Sequence, residues 1–197
     1  MNRADIVAAL GPLVDALERL GIPYSVAGSV ASSAHGIARA TLDVDVVADL
    51  KPHHAERVVA ALERDYYIEL GSVRDAIERR AMFNVVHLDT MLKVDAYLLT
   101  EREFDRSSFS RRAQGRLGDD EDARPFFIDS PEDSVLHKLE WYRAGGEVSE
   151  RQWGDIVGVL RVQGDALDGS YLERWAAGLG VSDLLARARV EASGKPS

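Results

Sequence analysis

Cysteine is absent from the 197-residue chain, which removes disulfide frameworks, thiol catalysis and cysteine zinc sites and agrees with a reducing compartment without requiring one. Long apolar runs are missing too. No stretch approaches the ~20 residues needed to cross a bilayer. The N-terminal segment places Asp5, Asp15 and Glu18 among its apolar residues and has no positive leader before an apolar block, so it does not read as a secretory signal. Positive charge is scarce: 24 Lys and Arg face 33 Asp and Glu, a net charge of −9. Such a field repels polyanions and argues against a general nucleic-acid coat, while a local phosphate site stays open. There is no internal repeat. What remains is 46% hydrophobic and 29% charged, the balance of one compact unit or a domain with a helical annex. A chain of this length can bury roughly 70% of its unfolded surface without disulfide or metal staples. We expect a soluble, cytoplasmic protein with no membrane partner.

Periodicity divides the chain. Ile6, Leu10, Leu13, Leu17 and Leu20 recur at helical spacing, with Gly11-Pro12 as a kink or restart and Gly21-Ile22-Pro23 as the stop. A strand follows at Tyr24–Ala27, and Gly28-Ser29 turns into a short small-residue helix ending at Gly36. Leu42 to Val47 reads as a strand with Asp43 and Asp45 on one face. A helix over 53–64, a strand over 66–70 and a helix over 72–80 lead to an antiparallel hairpin of 83–88 and 92–99. In its second strand Lys93 and Asp95 share a face. The Arg-rich stretch from Arg102 to Gly118 reads as a mobile loop, with an acidic patch at 119–122 and a short strand at Pro125–Ile128. Ser130-Pro131-Glu132-Asp133 then opens a helix with a capping box and proline at its first position. Its buried stripe is Val135, Leu136, Leu139 and Tyr142; Gly145-Gly146 ends it, and Ser149 with Gln152 caps a second helix carrying Trp153, Ile156, Val157 and Leu160. Helices near 171–177 and 182–189 close the chain, and 191–197 should fray. The expected architecture is a mixed α/β (α+β) domain over 1–128 and a helical C-terminal bundle over 129–197.

The chemistry concentrates at three carboxylates and one turn. Aspartates two apart on a strand project the same way, about 6.5 to 7 Å apart along the chain, and can share a hard cation or a pair of cations. Asp95 adds a third ligand if its strand lies beside that of Asp43, the arrangement that two-metal phosphoryl transfer requires. Gly28 lets backbone approach a triphosphate, the Ser29 hydroxyl can donate to a phosphate oxygen, and the helix that follows offers free N–H groups. Thirteen residues separate Ser29 from Asp43.

The stretch GSVASSAHGIARATLDVDVV, with LKVDAYLL and SPEDSVLHKLEWYR, resembles nucleotidyltransferases of the DNA polymerase β-like superfamily, and within it the small bacterial AbiEii-type and MNT-type branch. The resemblance covers the first hundred residues well and the helical part loosely. It implies a mixed sheet flanked by helices with a helical part closing over the nucleotide. It implies transfer of a nucleoside monophosphate from an NTP to a hydroxyl, with magnesium, or manganese in its place, as cofactor. Carried over by residue, Gly28 and Ser29 hold the triphosphate, and Asp43, Asp45 and Asp95 bind metal, with Asp95 also helping to deprotonate the acceptor. Arg39 falls in the motif's run and counts with the nucleotide-binding residues, and Lys138 meets a phosphate. The implied acceptor is tRNA, another RNA end or a protein side chain, as in toxin-antitoxin pairs with a cognate antitoxin as partner; a small molecule such as an aminoglycoside belongs to the same reaction class.

Each residue has a plainer reading. Asp43 and Asp45 could sit on a solvated strand face, though a polar pair at the centre of an otherwise apolar strand asks for partners. The aspartyl-phosphate motif is also Asp-x-Asp, but it needs an apolar strand before its first Asp, where this chain has Arg39-Ala40-Thr41. Gly28-Ser29 could be an ordinary turn, and Lys138 a snorkelling lysine on the flank of its stripe. Arg151 and Asp155 stand i, i+4 and read as a helix ion pair. His35 and His87 are left out of the metal site. The arginines at 102, 106, 111, 112 and 116 could greet a phosphate backbone, but interleaved acids offset them. Trp141, Trp153 and Trp175 read as bundle packing. The rival to an enzyme is a catalytically silent nucleotide- or partner-binding module of the same fold. Three gathered carboxylates speak against it, because a module that only binds has no need to collect repelling charges.

Overall fold

The computed structural model describes residues 3–41, 43–117 and 123–194. The chain divides into two compact units, one of Met1–Val30 with Ala40–Ile128 and one of Ala31–Arg39 with Asp129–Ser197. Among the described residues no helix is long and apolar enough to cross a membrane.

In the first unit α1 (Arg3–Arg19) buries Ala9, Leu10, Leu13, Val14, Ala16 and Leu17. It runs through Pro12 unbroken, and a tyrosine explains how. The Tyr66 hydroxyl accepts from Leu13 N–H at 3.0 Å and donates to the Ala9 carbonyl at 2.7 Å, standing inside the i to i−4 bond those two groups would otherwise make. Side-chain insertion into the ladder beside a proline keeps both backbone groups satisfied.

Seven described strands form one sheet: β1 (Tyr24–Ala27), β2 (Asp43–Ala48), β3 (Tyr66–Tyr67), β4 (Met82–His87), β5 (Lys93–Leu98), β6 (Ala113–Arg116) and β7 (Pro125–Ile128), in the order β3-β4-β5-β2-β1-β7-β6. β2 lies parallel to β5 and antiparallel to β1, and β4 and β5 form the expected antiparallel hairpin. Along β2, Val44, Val46 and Ala48 are buried, while Asp43, Asp45 and Val47 are half-buried, so the period-two pattern sets one apolar face and one face that carries the acids. The helix α2 (Gly28–His35) follows β1 directly; α3 (Ala55–Leu62) and α4 (Leu70–Arg79) bury Val58, Leu62, Val73 and Ile77.

Two stretches depart from the sequence reading. Residues 66–70 give only a two-residue strand, because Leu70 already opens α4. Residues 102–118 are not a loop: α5 spans Glu103–Arg111 and β6 spans Ala113–Arg116. Buried Phe104 and Phe109 anchor α5, and Arg112 stacks on the Phe109 ring at 4.1 Å. Ion pairs of Arg102 with Asp105 and of Arg106 with Glu101 use up part of the positive stretch. β6 exists through its partner, pairing from Ala113↔Ile128 to Arg116↔Pro125. The acidic patch of 119–122 lies outside the described residues.

The second unit contains α6 (Pro131–Ala144), α7 (Glu150–Gln163), α8 (Gly169–Gly178) and α9 (Ser182–Ala192). Ser130 caps α6, accepting from Asp133 N–H at 3.1 Å and donating to its Oδ2 at 2.6 Å, and Ser149 caps α7 through Gln152 N–H. Asp133 is fully buried and receives the Tyr171 hydroxyl on its other oxygen at 2.7 Å, so this carboxylate is paired on both sides. One bundle assignment needs correction. Trp141 is 59% exposed, since it stands two residues from Leu139 and thus off the buried stripe. Trp153 packs against the Tyr142 ring at 5.2 Å but also donates to Glu191 at the surface, at 2.7 Å.

Candidate active site

β2 and β5 are joined in the register Asp43↔Lys93, Asp45↔Asp95 and Val47↔Tyr97. Parallel pairing sets directly opposed residues on the same face, so the three aspartates share one side of two neighbouring strands with Lys93 and Tyr97. The row through Asp45 and Asp95 runs on to Ala27 in β1 and Asn84 in β4.

Each carboxylate is drawn to a different neighbour. Thr41, itself buried, donates its hydroxyl to Asp43 Oδ1 at 3.1 Å and to the Asp43 carbonyl at 3.0 Å. Asp45 leans on the start of α2: a Cβ built on Gly28 would lie 1.8 Å from Asp45 Oδ2. Gly28 also has φ of 60°, in the left-handed region, so both backbone and space there demand glycine. Ser29 follows half-buried at the first turn of α2. Asp95 is only 5% exposed; its Oδ2 accepts from Lys93 Nζ at 2.7 Å, and its Oδ1 is buried with no hydrogen-bond partner.

The cations and hydroxyls of this face register the shared charge. The hydrogen bond to Asp95 holds the Lys93 ammonium above the ordinary lysine pKa despite its partial burial, with the fields of Asp95, Asp43 and Asp45 adding to it. Burial pushes the Tyr97 phenol up to about 12, with the fields of Asp45, Asp95 and Asp43 adding to the rise. One lysine and one tyrosine thus feel all three carboxylates.

The donor set suits a hard divalent cation: carboxylate oxygens, one of them buried and without a partner. As they stand, no three His, Asp or Glu side chains among the described residues are gathered tightly enough to hold an ion. The three carboxylates match a divalent cation in chemical kind and in sharing one face, and not in their present spacing.

In the second unit, Arg39 and Lys138 meet on Asp155. Arg39 Nε reaches Asp155 Oδ1 at 2.6 Å and its terminal nitrogen reaches Oδ2 at 2.7 Å, a two-pronged pair. Lys138 Nζ donates to Oδ2 at 2.8 Å. Lys138 is 8% exposed, so its ammonium stays inside and does not snorkel. Asp155 is taken from Arg151, with which sequence spacing paired it, because a buried carboxylate gains more from a buried ammonium and a part-buried guanidinium together than from one exposed helix neighbour. Burial pushes the Asp155 carboxyl up, but the hydrogen bonds from Arg39 and Lys138 outweigh it and hold the pKa below the usual carboxylate range. Gly36 supports this corner: a Cβ there would lie 2.8 Å from Val159 N in α7.

His35 pairs through Nε2 with the Asp129 carbonyl at 2.6 Å, and buried His87 pairs through Nδ1 with Thr90 at 2.9 Å. Lys93 and Asp155 are the two residues that sequence reasoning did not place in a site. Lys93 had a signal in its shared strand face with Asp95. Asp155 had none beyond its charge on an apolar helix.

No family model and no curated protein matches the chain. Solved structures share its fold. A solution structure of the antibiotic-resistance factor ANT(2'')-Ia superposes with a TM-score of 0.59 at 14% identity, covering 94% of this chain and 97% of that one. The same factor in complex with adenylyl-2''-tobramycin gives 0.57 at 14% identity, over 88% and 96%. An antigenic nucleotidyltransferase-like protein from Paracoccidioides brasiliensis gives 0.51 at 15% identity, over 93% and 90%. The mixed sheet flanked by helices is thus the nucleotidyltransferase fold.

Proposed function

We propose, from that fold and the β2–β5 face, that the chain transfers a nucleoside monophosphate from an NTP to a hydroxyl acceptor and releases pyrophosphate. The observation that carries this reading is the register Asp45↔Asp95, which puts a third carboxylate on the strand beside the Asp43-Val44-Asp45 pair. Gly28 and Ser29 would take the triphosphate, the first by close backbone approach and the second by its hydroxyl, with the N-terminal amides of α2 behind them. Asp43, Asp45 and Asp95 would hold Mg²⁺ or Mn²⁺, which when bound supplies Lewis acidity and neutralises phosphate charge. The acceptor oxygen forms a bond to the α-phosphorus, the bond to the bridging oxygen of the β-phosphate breaks, and pyrophosphate leaves. Asp95 takes the acceptor's proton. Arg39 and Lys138 are assigned to phosphate by resemblance, with Asp155 keeping the two cations together.

The acceptor classes are an RNA or tRNA end or a protein side chain, the second with an antitoxin as regulating partner, and a small-molecule hydroxyl. The bound adenylyl-2''-tobramycin of a fold neighbour favours including antibiotics among the latter. One observation favours the silent binding module instead: Asp95 already has Lys93 as a partner. Incubation with each α-labelled NTP, Mg²⁺ or Mn²⁺, and tRNA, total protein or aminoglycoside separates the readings. Label transferred by wild type and lost in Asp45→Asn supports the enzyme; NTP binding without transfer to any acceptor supports the module.

A further inference from the structure

We propose that Lys93 is a tethered cation that guards the carboxylate face: it occupies Asp95 while the face is empty and must leave it for a divalent cation to bind all three aspartates. The inference rests on the nucleotidyltransferase reading and deepens it. Three observations carry it. Lys93 Nζ sits 2.7 Å from Asp95 Oδ2, on the strand position directly opposite Asp43. Asp95 is 95% buried by its 5% exposure, and its second oxygen has no partner, so the pair leaves half of that carboxylate unsatisfied. The Lys93 side chain is 45% exposed, which leaves its flexible stem room to swing outward.

The electrostatics decide what this does. Three carboxylates on one face repel, and the Lys93 ammonium offsets one of those charges at the cost of fixing a flexible stem. A divalent cation competes with it for Asp95. An arriving triphosphate shifts that competition, since its negative oxygens offer the ammonium a second seat. Lys93 then passes from carboxylate to phosphate as the cation enters, and metal and nucleotide bind with positive coupling. Lys93 is in this account a positioning residue, and its effect shows in binding before any chemistry.

Mn²⁺ is the probe, followed by its electron paramagnetic resonance signal in titrations of the full chain, with and without a non-hydrolysable NTP analogue. Removing the charge in Lys93→Met should tighten Mn²⁺ binding to the nucleotide-free protein by about fivefold, the upper end for one partly exposed ion pair. The analogue should tighten it strongly in wild type and little in Lys93→Met. Lys93→Arg, which keeps the charge, should behave as wild type and controls for folding, as does the circular dichroism of each variant. Equal Mn²⁺ affinity in wild type and Lys93→Met overturns this inference and leaves the nucleotidyltransferase reading standing. No Mn²⁺ binding in any of the proteins, with or without analogue, overturns that reading and this inference with it.

Discussion

On the β2–β5 face the buried Asp95 carboxylate meets one ammonium on one oxygen and its other oxygen is left without a partner, whereas in the helical unit one carboxylate meets a guanidinium and an ammonium on both of its oxygens. The first has polar capacity unused. The second is closed. Charges gathered against their own repulsion are costly to a fold, so the open cluster is where binding is expected to repay the strain, and the closed one is where the fold itself gains. Exposure agrees with this division, because Lys93 is 45% exposed in side chain while Lys138 is 9%.

That contrast can be broken by exchanging roles. Asp45→Asn should lower nucleotide transfer by about a thousandfold, the scale seen when a group that stabilises the transition state is removed, while the ligand-free melting temperature stays level or rises. Asp155→Ala should act on stability first. It strands the buried Lys138 ammonium and leaves the part-buried Arg39 without its carboxylate, and should cost about 3 kcal/mol in urea unfolding. A large stability loss in Asp45→Asn together with a small one in Asp155→Ala would erase the distinction.

Smaller effects sharpen it. Gly28→Ala places a Cβ against the Asp45 carboxylate at a φ of 60°, so it should cost about 1–2 kcal/mol and also depress nucleotide binding. Tyr66→Phe should cost about 1 kcal/mol by removing the hydroxyl from the α1 ladder, with nucleotide binding unchanged, a control in the same unit as the face. The gentlest probe is acid. Because Asp155 has a folded pKa below its ordinary value, its contribution to stability is present above about pH 4 and is lost as pH falls through the folded value. Unfolding free energy measured from pH 5 to pH 2 should therefore fall less steeply in Asp155→Asn than in wild type.

The sequence and the fold agree where the signal is local. Tyr24–Ala27 and Pro125–Ile128 stand as strands at the limits their composition suggests, and Ser130 and Ser149 cap the helices they precede, because a cap reads only three residues of chain. Asp43 and Asp45 share a face by period alone. What brings Asp95 to them is strand order, a pairing between residues fifty apart that no local pattern encodes. α5 escaped for a related reason: Phe104 and Phe109 are its main apolar anchors, too few for a stripe, and its flanks are held by ion pairs. β6, reading Ala-Gln-Gly-Arg, has little strand propensity and is made by β7 beside it. Asp155 looked like a helix ion-pair residue since only i, i+4 spacing is visible along the chain; its partner Arg39 lies 116 positions away.

The most direct test of the account is thermal unfolding of wild type and Asp45→Asn with each NTP, with and without Mg²⁺. At ~100 times its dissociation constant a ligand specific to the folded state adds about 2.7 kcal/mol, well within detection. The account predicts a rise in melting temperature for wild type that needs both NTP and Mg²⁺ and vanishes in Asp45→Asn. A rise that survives in Asp45→Asn, or none with any NTP, would contradict it.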